Sequence, residues 1–201
     1  MNIYLEDSED KKDEKSKKDS SLQEKFLKTR QIILSGEINK ENAEKFNKQL
    51  LLLEADSNKP VYVYIDSPGG DVSAGFAIYD MIRFVSCPVI LVGNGLIASA
   101  AALILLAVPK ERRVGFSNSE YLIHQPLSQM EGTATDILIH ANNIAKTKAK
   151  INKIISEATG KELSKVTKDT DRDYWLDATD ALDYGLISKI VVSRDELKSI
   201  K

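Results

Sequence analysis

The sequence is poor in the residues from which disulfides and metal centres are built. Its 201 residues include one cysteine, Cys87, and two histidines. A single thiol excludes an internal disulfide and a cysteine-rich metal cluster, and it is compatible with a reducing compartment. We therefore expect no metal ion and no other cofactor, and a cytoplasmic location. Cys87 itself, between apolar segments, is predicted to fill space in the core.

An excess of charge of one sign is also missing. The 28 Lys and Arg residues nearly balance the 30 Asp and Glu residues, and the net charge is −2. This balance favours neither nucleic acid nor a membrane as a partner. Residues 1–25 contain no apolar stretch, so we expect no secretory signal. Residues 1–22 are mostly Asp, Glu, Lys and Ser, and we expect them to be mobile. Residues 23–201 are predicted to form one domain.

Only one long apolar run is present, at residues 88–108, and its only polar residues are Asn94 and Ser99. The glycines at 93 and 95 split this run, and the downstream piece of about thirteen residues is too short to cross a bilayer. We interpret the run as a buried strand, a glycine turn and the first turn of a buried helix. Ser99 would then lie among the free N–H groups of the helix, which could stabilise an oxyanion. The alternative is a buried serine that is bonded to its own helix.

Strands and helices are predicted to alternate along the chain. The predicted strands are residues 31–35, 61–65, 89–92, 113–116, 121–124 and 187–192. The predicted helices are one capped by Asn39, residues 73–85, the helix containing Ser99, residues 134–158, residues 162–167, and one that is capped by Thr179 and ended by Gly185. This order favours an α/β fold with a parallel sheet and right-handed crossovers.

The helix at 134–158 is the longest, at roughly 37 Å. Five apolar residues keep one heptad register along it, and Lys148 occupies the position of a sixth. The five are Ile137, Ala141, Ile144, Ile151 and Ile155. Such a seam is typical of a core-facing helix or of a helix that contacts another subunit. The length of the helix favours a projection that docks on a neighbouring subunit.

A serine nucleophile requires a base and a partner that orients the base. His124 follows a predicted strand and is the better candidate base, whereas His140 lies within the long helix and is predicted to be structural. Thirty acidic residues could supply the third group, so spacing alone selects none of them. Asp173 is attractive because apolar residues follow it, although a pairing with Arg172 would account for it equally well.

The tetrapeptide Ser-Pro-Gly-Gly at residues 67–70 follows a predicted strand. Two glycines allow backbone N–H groups to approach a reacting carbonyl without a Cβ in the way, although a plain turn has the same sequence. The lysine and hydroxyl of a Walker A loop are missing here, so we predict no ATP site.

Taken together, several motifs resemble those of the proteolytic subunit of the Clp protease, over about residues 31–192. They are SPGG at 67–70, GLIAS at 95–99, YLIHQP at 121–126, GTATD at 132–136, DTDRD at 169–173 and ALDYGL at 181–186. The resemblance implies the ClpP/crotonase fold, an α/β fold of repeated β-β-α units, with the helix at about 134–158 as a protruding handle.

The resemblance also implies a serine endopeptidase. By motif position, Ser99 is the nucleophile, His124 the general base and then acid, and Asp173 the carboxylate that orients the histidine. The backbone N–H groups of Gly70 and Ala100 would form the oxyanion hole.

Substrate and partners follow from the same resemblance. Val72 and Leu127 would line the extended substrate strand, and Arg172 matches a residue at the ring–ring contact. The handle would interlock two heptameric rings, of one or of two kinds of subunit, and a hexameric AAA+ ATPase of the Clp type would feed in unfolded polypeptides. Neither nucleic acid nor a membrane is implied as a partner.

The sequence departs from the family pattern at Ala100, where family members usually carry methionine, and in its N-terminal segment. These departures favour an alternative, a weakly active or regulatory ring subunit that assembles with a second, more typical subunit. An acyl-CoA enzyme of the crotonase type would share the fold, but it does not need an aligned serine, histidine and aspartate.

Overall fold

A computed structural model of the chain describes residue 22 and residues 24–200. The segment 1–22, which we expect to be mobile, therefore lies outside the described residues except for residue 22. The strands are β1 (Gln31–Ser35), β2 (Val61–Ser67), β3 (Val89–Ala98), β4 (Arg113–Gly115), β5 (Glu120–Ile123), β6 (Tyr174–Leu176) and β7 (Lys189–Ile190). The helices are α1 (Lys40–Asp56), α2 (Val72–Phe84), α3 (Ala100–Leu105), α4 (Ala134–Thr159), α5 (Leu163–Asp169), α6 (Ala178–Tyr184) and α7 (Arg194–Lys198), with a 3-10 turn at Lys110–Arg112.

The strands form one sheet in which the parallel order is β1-β2-β3-β4-β7. The predicted α/β class with a parallel sheet is therefore confirmed. β3 pairs with two different strands on one side: residues 91–93 pair with β4, and residues 96–98 pair with β5. β5 in turn pairs antiparallel with β6. Ten residues of β3 thus support two separate branches of the sheet.

The prediction that the chain turns at residues 93–95 and then enters a helix is wrong. β3 continues to Ala98, and the helix begins only at Ala100. The glycine segment is instead a bulge, because the pairing of β3 with β2 shifts register between Ile65 and Ser67. Asp66 stabilises this bulge by accepting a hydrogen bond of 3.1 Å from the backbone N–H of Leu96.

Tyr121 explains why glycine is needed at position 93. A Cβ on Gly93 would lie 2.5 Å from the Tyr121 hydroxyl, and a Cβ on Gly115 would also collide with that hydroxyl. The two glycines on neighbouring strands therefore make room for a fully buried ring that comes from β5. This contact is long-range, and it keeps the glycine segment inside the sheet.

The helix boundaries follow side-chain caps. Asn39 caps α1 as predicted, because its side chain accepts from the backbone N–H of Asn42 at 2.9 Å. Thr179 does not cap α6, which is capped by Asp177 through the N–H of Asp180 at 2.8 Å. An aspartate two residues earlier supplies the same acceptor.

The C-terminal part of the chain departs furthest from prediction. The strand expected at 187–192 is reduced to β7, and the next residues form α7, whose cap is Ser193. Val191 still donates a backbone hydrogen bond to Gly115 at 2.9 Å, but the chain leaves the sheet after it. The sequence pattern does not predict β6 either, since three residues are too few for a periodic signal.

The long helix α4 divides into two halves. Ile151 and Ile155 are buried in the main core, whereas Ile137, Leu138 and Ile139 are exposed. The predicted seam is therefore core-facing at its C-terminal end and exposed at its N-terminal end. The helix ends at Gly160, whose φ of 74° suits glycine.

In the part of the chain that the structure describes, no helix has the length and apolarity that a membrane span requires.

Candidate active site

Ser99 lies at the junction between β3 and α3, with φ 57° and ψ −119°. A positive φ is costly for a residue with a Cβ, and it is held here by the backbone on both sides. The Ser99 N–H donates to the carbonyl of Leu122 at 2.9 Å, and the Ser99 carbonyl accepts from Leu103 at 3.1 Å. Its hydroxyl makes no capping bond to α3, so the hydroxyl is available for another partner.

That partner is His124. The His124 Nε2 lies 2.8 Å from the Ser99 Oγ, and the His124 Nδ1 lies 2.9 Å from Oδ1 of Asp173. With the proton on Nδ1, the ring donates to the carboxylate and accepts from the serine hydroxyl. The structure therefore brings together the three side chains that the sequence analysis singles out. A hydroxyl in this arrangement can act as a nucleophile on an acyl group.

The sheet accounts for this convergence. Each of the three residues adjoins the end of a paired strand: Ser99 follows β3, His124 follows β5, and Asp173 precedes β6. β3 and β5 pair through Ala98 and Leu122. β5 and β6 pair through Ile123 and Tyr174. Residues far apart in the sequence therefore meet at one corner of the sheet.

Gly69 packs against the Ser99 turn, and Gly70 packs against Ile38. A Cβ on Gly69 would lie 2.6 Å from the carbonyl oxygen of Ala98 and 2.7 Å from the Cβ of Ser99. Gly70 forms a parallel bridge with Ile38, in which its two neighbours make the hydrogen bonds to Ile38. The N–H of Gly70 therefore points to the opposite side from Ile38.

Ala100, the second predicted oxyanion donor, lies at the start of a helix. Ala100 is the first residue of α3, and the first N–H groups of a helix have no partner inside the helix. Gly69 is not among the predicted site residues, although its position in the Gly-Gly pair is a usable signal.

A narrow cavity adjoins Ser99 and His124. It is lined by Val72, Ser99, Ala100, Ala102, Leu103, Ile123, His124, Pro126, Ile151 and Ile155. Val72 thus lies beside the predicted nucleophile. Leu127 does not line this cavity, and it is 80% exposed. Ile151 and Ile155 are not among the predicted site residues, although their heptad spacing indicates that they make apolar contacts.

Two other candidate residues lie outside this cavity. His140 Nε2 is 2.7 Å from the Ser128 hydroxyl, in agreement with a structural interpretation. Cys87 is buried, and burial raises the pKa of its thiol, which makes it a poor nucleophile.

Comparison with known proteins identifies the family. The family model described as Clp protease matches residues 13–194. This chain belongs to the Clp protease family. It is 58% identical over 198 residues to ATP-dependent Clp protease proteolytic subunit 2 of Treponema denticola, with 98% of each chain covered. It is 46% identical over 172 residues to ATP-dependent Clp protease proteolytic subunit 3 of Rhizobium etli, with 86% of this chain and 89% of the relative covered.

A solved structure agrees with this assignment. A single-residue mutant of ClpP1 from Listeria monocytogenes superposes on this chain with a TM-score of 0.82 at 45% identity. The match covers 88% of this chain and 99% of the other. The predicted Clp family and the predicted ClpP-type fold are therefore confirmed. Membership of the Clp protease family implies a serine peptidase.

Proposed function

We propose that this chain is a serine endopeptidase subunit in which Ser99 is the nucleophile, His124 the general base and Asp173 the orienting carboxylate. The observation that carries the proposal is the continuous hydrogen-bonded chain from Ser99 to His124 to Asp173, at 2.8 and 2.9 Å. Ser99 directly precedes the first turn of α3, and Gly69 packs against it, which supports our proposal that the N–H groups of Gly70 and Ala100 are the donors for an oxyanion.

The reaction has two chemical steps. In acylation, Ser99 Oγ attacks the peptide carbonyl carbon while His124 Nε2 takes the hydroxyl proton. The N–H groups of Gly70 and Ala100 bind the oxyanion of the tetrahedral intermediate. His124 then gives its proton to the leaving amine, and the C–N bond breaks. In deacylation, His124 takes a proton from water, whose oxygen attacks the acyl carbon. The bond between that carbon and Ser99 Oγ then breaks, His124 returns the proton to Oγ, and the peptide leaves with a new carboxyl terminus.

The cavity beside Ser99 has a volume of only about 20 Å³, so we propose that it receives the end of one substrate side chain. Val72, Leu103 and Ile155 line it, so an apolar side chain would be accepted. Leu127 lies in the exposed loop that follows His124, and we propose that it contacts an extended substrate strand, as Val72 does.

We further propose that the subunit assembles into two heptameric rings, of one or two kinds of subunit, that are served by a hexameric Clp ATPase. Unfolded polypeptides would be the substrates, in the cytoplasm. The N-terminal half of α4 supports assembly, because it exposes Ile137, Leu138 and Ile139 to solvent. Arg172 is exposed beside Asp173, as a ring–ring contact requires.

A second candidate function is a weakly active or regulatory ring subunit. The relatives carry the numbers 2 and 3 in their names, which favours a protein that works with another subunit. Labelling with a fluorophosphonate separates the two functions. Stoichiometric modification of Ser99 in the isolated protein would contradict the regulatory alternative.

Replacement of the nucleophile tests the main proposal. We expect Ser99→Ala to reduce peptide hydrolysis by roughly four orders of magnitude or more, while the mass of the assembly stays unchanged. Ser117→Ala is the matched control, because Ser117 is an exposed serine away from the cavity. Hydrolysis at the wild-type rate by Ser99→Ala would overturn the assignment of the nucleophile.

A further inference from the structure

The carboxylate of Asp173 is mostly exposed and makes few contacts with the rest of the protein. Its side chain is 62% exposed, whereas that of His124 is 13% exposed. Among residues 24–200, the hydrogen-bond partner of its carboxylate is His124. A carboxylate on the surface can adopt several rotamers, and water competes for its hydrogen bonds. The position of Asp173 must therefore be determined by the backbone that carries it.

That backbone is attached to the residue that follows His124. The Gln125 N–H donates to the carbonyl of Thr170 at 2.7 Å, and the Gln125 side-chain Nε2 donates to the carbonyl of Asp171 at 2.6 Å. The segments that carry His124 and Asp173 are thus joined by two hydrogen bonds, both from Gln125.

Lys148 of α4 joins the same two segments from the side. Its Nζ lies 3.0 Å from Oε1 of Gln125 and 3.0 Å from Oδ1 of Asp171. By donating to Oε1, the ammonium group fixes the orientation of the Gln125 amide, whose Nε2 then faces the Asp171 carbonyl. Lys148 also lowers the pKa of the Asp171 carboxyl, through the hydrogen bond and through its charge.

These contacts explain why a lysine interrupts the apolar seam of α4. An apolar residue at position 148 would fit the heptad pattern, but it would leave Gln125 and Asp171 without a shared donor. The Lys148 side chain is 26% exposed, so the bridge is partly shielded from water. The helix thus contributes two apolar residues, Ile151 and Ile155, to the cavity and one cation to the loops beside it.

We propose that Lys148 is a positioning residue for catalysis, which holds the segments of His124 and Asp173 at hydrogen-bonding distance through Gln125 and Asp171. The inference rests on the proposed function, because it assigns a role toward His124 and Asp173. Lys148 acts through these two residues rather than on the reacting groups themselves. Its effect should therefore appear in the rate of the chemical step rather than in substrate binding.

The test is Lys148→Met, which places an apolar side chain of similar length in the seam. We expect kcat for a short fluorogenic peptide to fall roughly 10- to 100-fold, because loss of alignment by about 1 Å has effects of this size. KM should change less than about twofold, and fluorophosphonate should label Ser99 correspondingly more slowly. Lys148→Arg keeps the charge and should recover part of kcat.

The matched control is Lys153→Met on the same helix. Lys153 is 70% exposed and pairs with Glu157, away from Gln125 and Asp171. We expect this variant to retain the wild-type kcat. The proposal is overturned if Lys148→Met keeps kcat, if Lys148→Arg recovers none of it, or if the loss accompanies a change in the mass of the assembly.

Failure of this inference is distinguishable from failure of the proposed function. If Ser99→Ala abolishes hydrolysis while Lys148→Met does not reduce it, only the role of Lys148 is wrong. If Ser99→Ala retains hydrolysis, the proposed function itself is wrong.

Discussion

The two ends of the Ser99–His124–Asp173 chain lie in opposite surroundings. Ser99 is flanked by Ala98 and Ala100, which are both buried, and Gly69 packs directly against it. Asp173 lies at the surface before a three-residue strand, and most of its side chain is accessible to water. The serine end is therefore defined by the core and the sheet, and the carboxylate end by a few surface hydrogen bonds.

Because the two ends differ in burial, substitutions at them should affect stability and activity differently. A change at the serine end disturbs packed backbone, so both the free energy of unfolding and the reaction rate should suffer. A change at the carboxylate end disturbs contacts that contribute little to stability, so the rate should respond far more than the free energy of unfolding. The following predictions test that separation.

The largest effect is expected for Gly69→Ala. The new Cβ would meet the carbonyl oxygen of Ala98 at 2.6 Å, and Gly69 has a φ of +91°. We expect a loss of about 3 kcal/mol or more in the free energy of unfolding, together with loss of peptidase activity. Urea unfolding and peptide hydrolysis measure the two effects.

Gly36→Ala is the matched control for this change. Gly36 also has a positive φ, +77°, but a Cβ there would meet nothing within 4 Å. Only the conformational cost of about 1 kcal/mol should remain, and activity should be retained. Equal stability of the two variants would show that the packing around Ser99 is looser than described.

A smaller and more selective effect is expected for Asp173→Asn. The amide cannot hold His124 as a carboxylate does, so hydrolysis should fall by about two to four orders of magnitude. The free energy of unfolding should change by less than about 0.5 kcal/mol, because the side chain is exposed. Asp183→Asn, at another exposed aspartate, should change neither quantity. A loss of stability in step with activity would contradict the separation of the two ends.

The smallest effect is a pH dependence at the carboxylate end. Lys148 lowers the pKa of Asp171, so the folded protein binds this proton less readily than the unfolded chain does. The resulting stabilisation is present above the ordinary aspartate pKa of about 3.9, and it is lost as the pH falls through the lowered value.

We therefore expect the difference in urea midpoint between wild type and Lys148→Met to be constant from neutral pH down to about pH 4 and to shrink below it. Lys153→Met is again the control, with little difference from wild type at any pH. A difference that persists unchanged to about pH 2.5 would show that Asp171 is not the partner through which Lys148 stabilises the fold.

Most elements and two of the three aligned side chains can be predicted from the sequence. Ser99 stands out because it is one of two polar residues in a long apolar run, and His124 because the chain contains only two histidines. Asp173 cannot be selected from thirty acidic residues by spacing. Its place depends on the antiparallel pairing of β5 with β6, across 49 residues from His124. The resemblance to a known family supplies it instead.

The course of β3 cannot be predicted from the apolar pattern. A short apolar run suits a buried strand and a buried helix equally, so the glycines at 93 and 95 are easily interpreted as a turn. What keeps Gly93 in the strand is the Tyr121 ring, which comes from a strand much later in the chain. Local propensity contains no information about such a contact.

The pairing of β3 with both β4 and β5 fixes the backbone geometry at the serine end of the active site. Because Ser99 directly follows β3 and its N–H is bonded to the carbonyl of Leu122, main-chain geometry holds the backbone of Ser99 beside the end of β5, which precedes His124. Substitutions on this branch should leave the backbone spacing unchanged where they keep the strand pairing and avoid the tight contacts of Tyr121 with Gly93 and Gly115. We therefore expect a mutation or a neighbouring molecule to change the active-site geometry on the Asp173 side, where a few surface hydrogen bonds hold the chain.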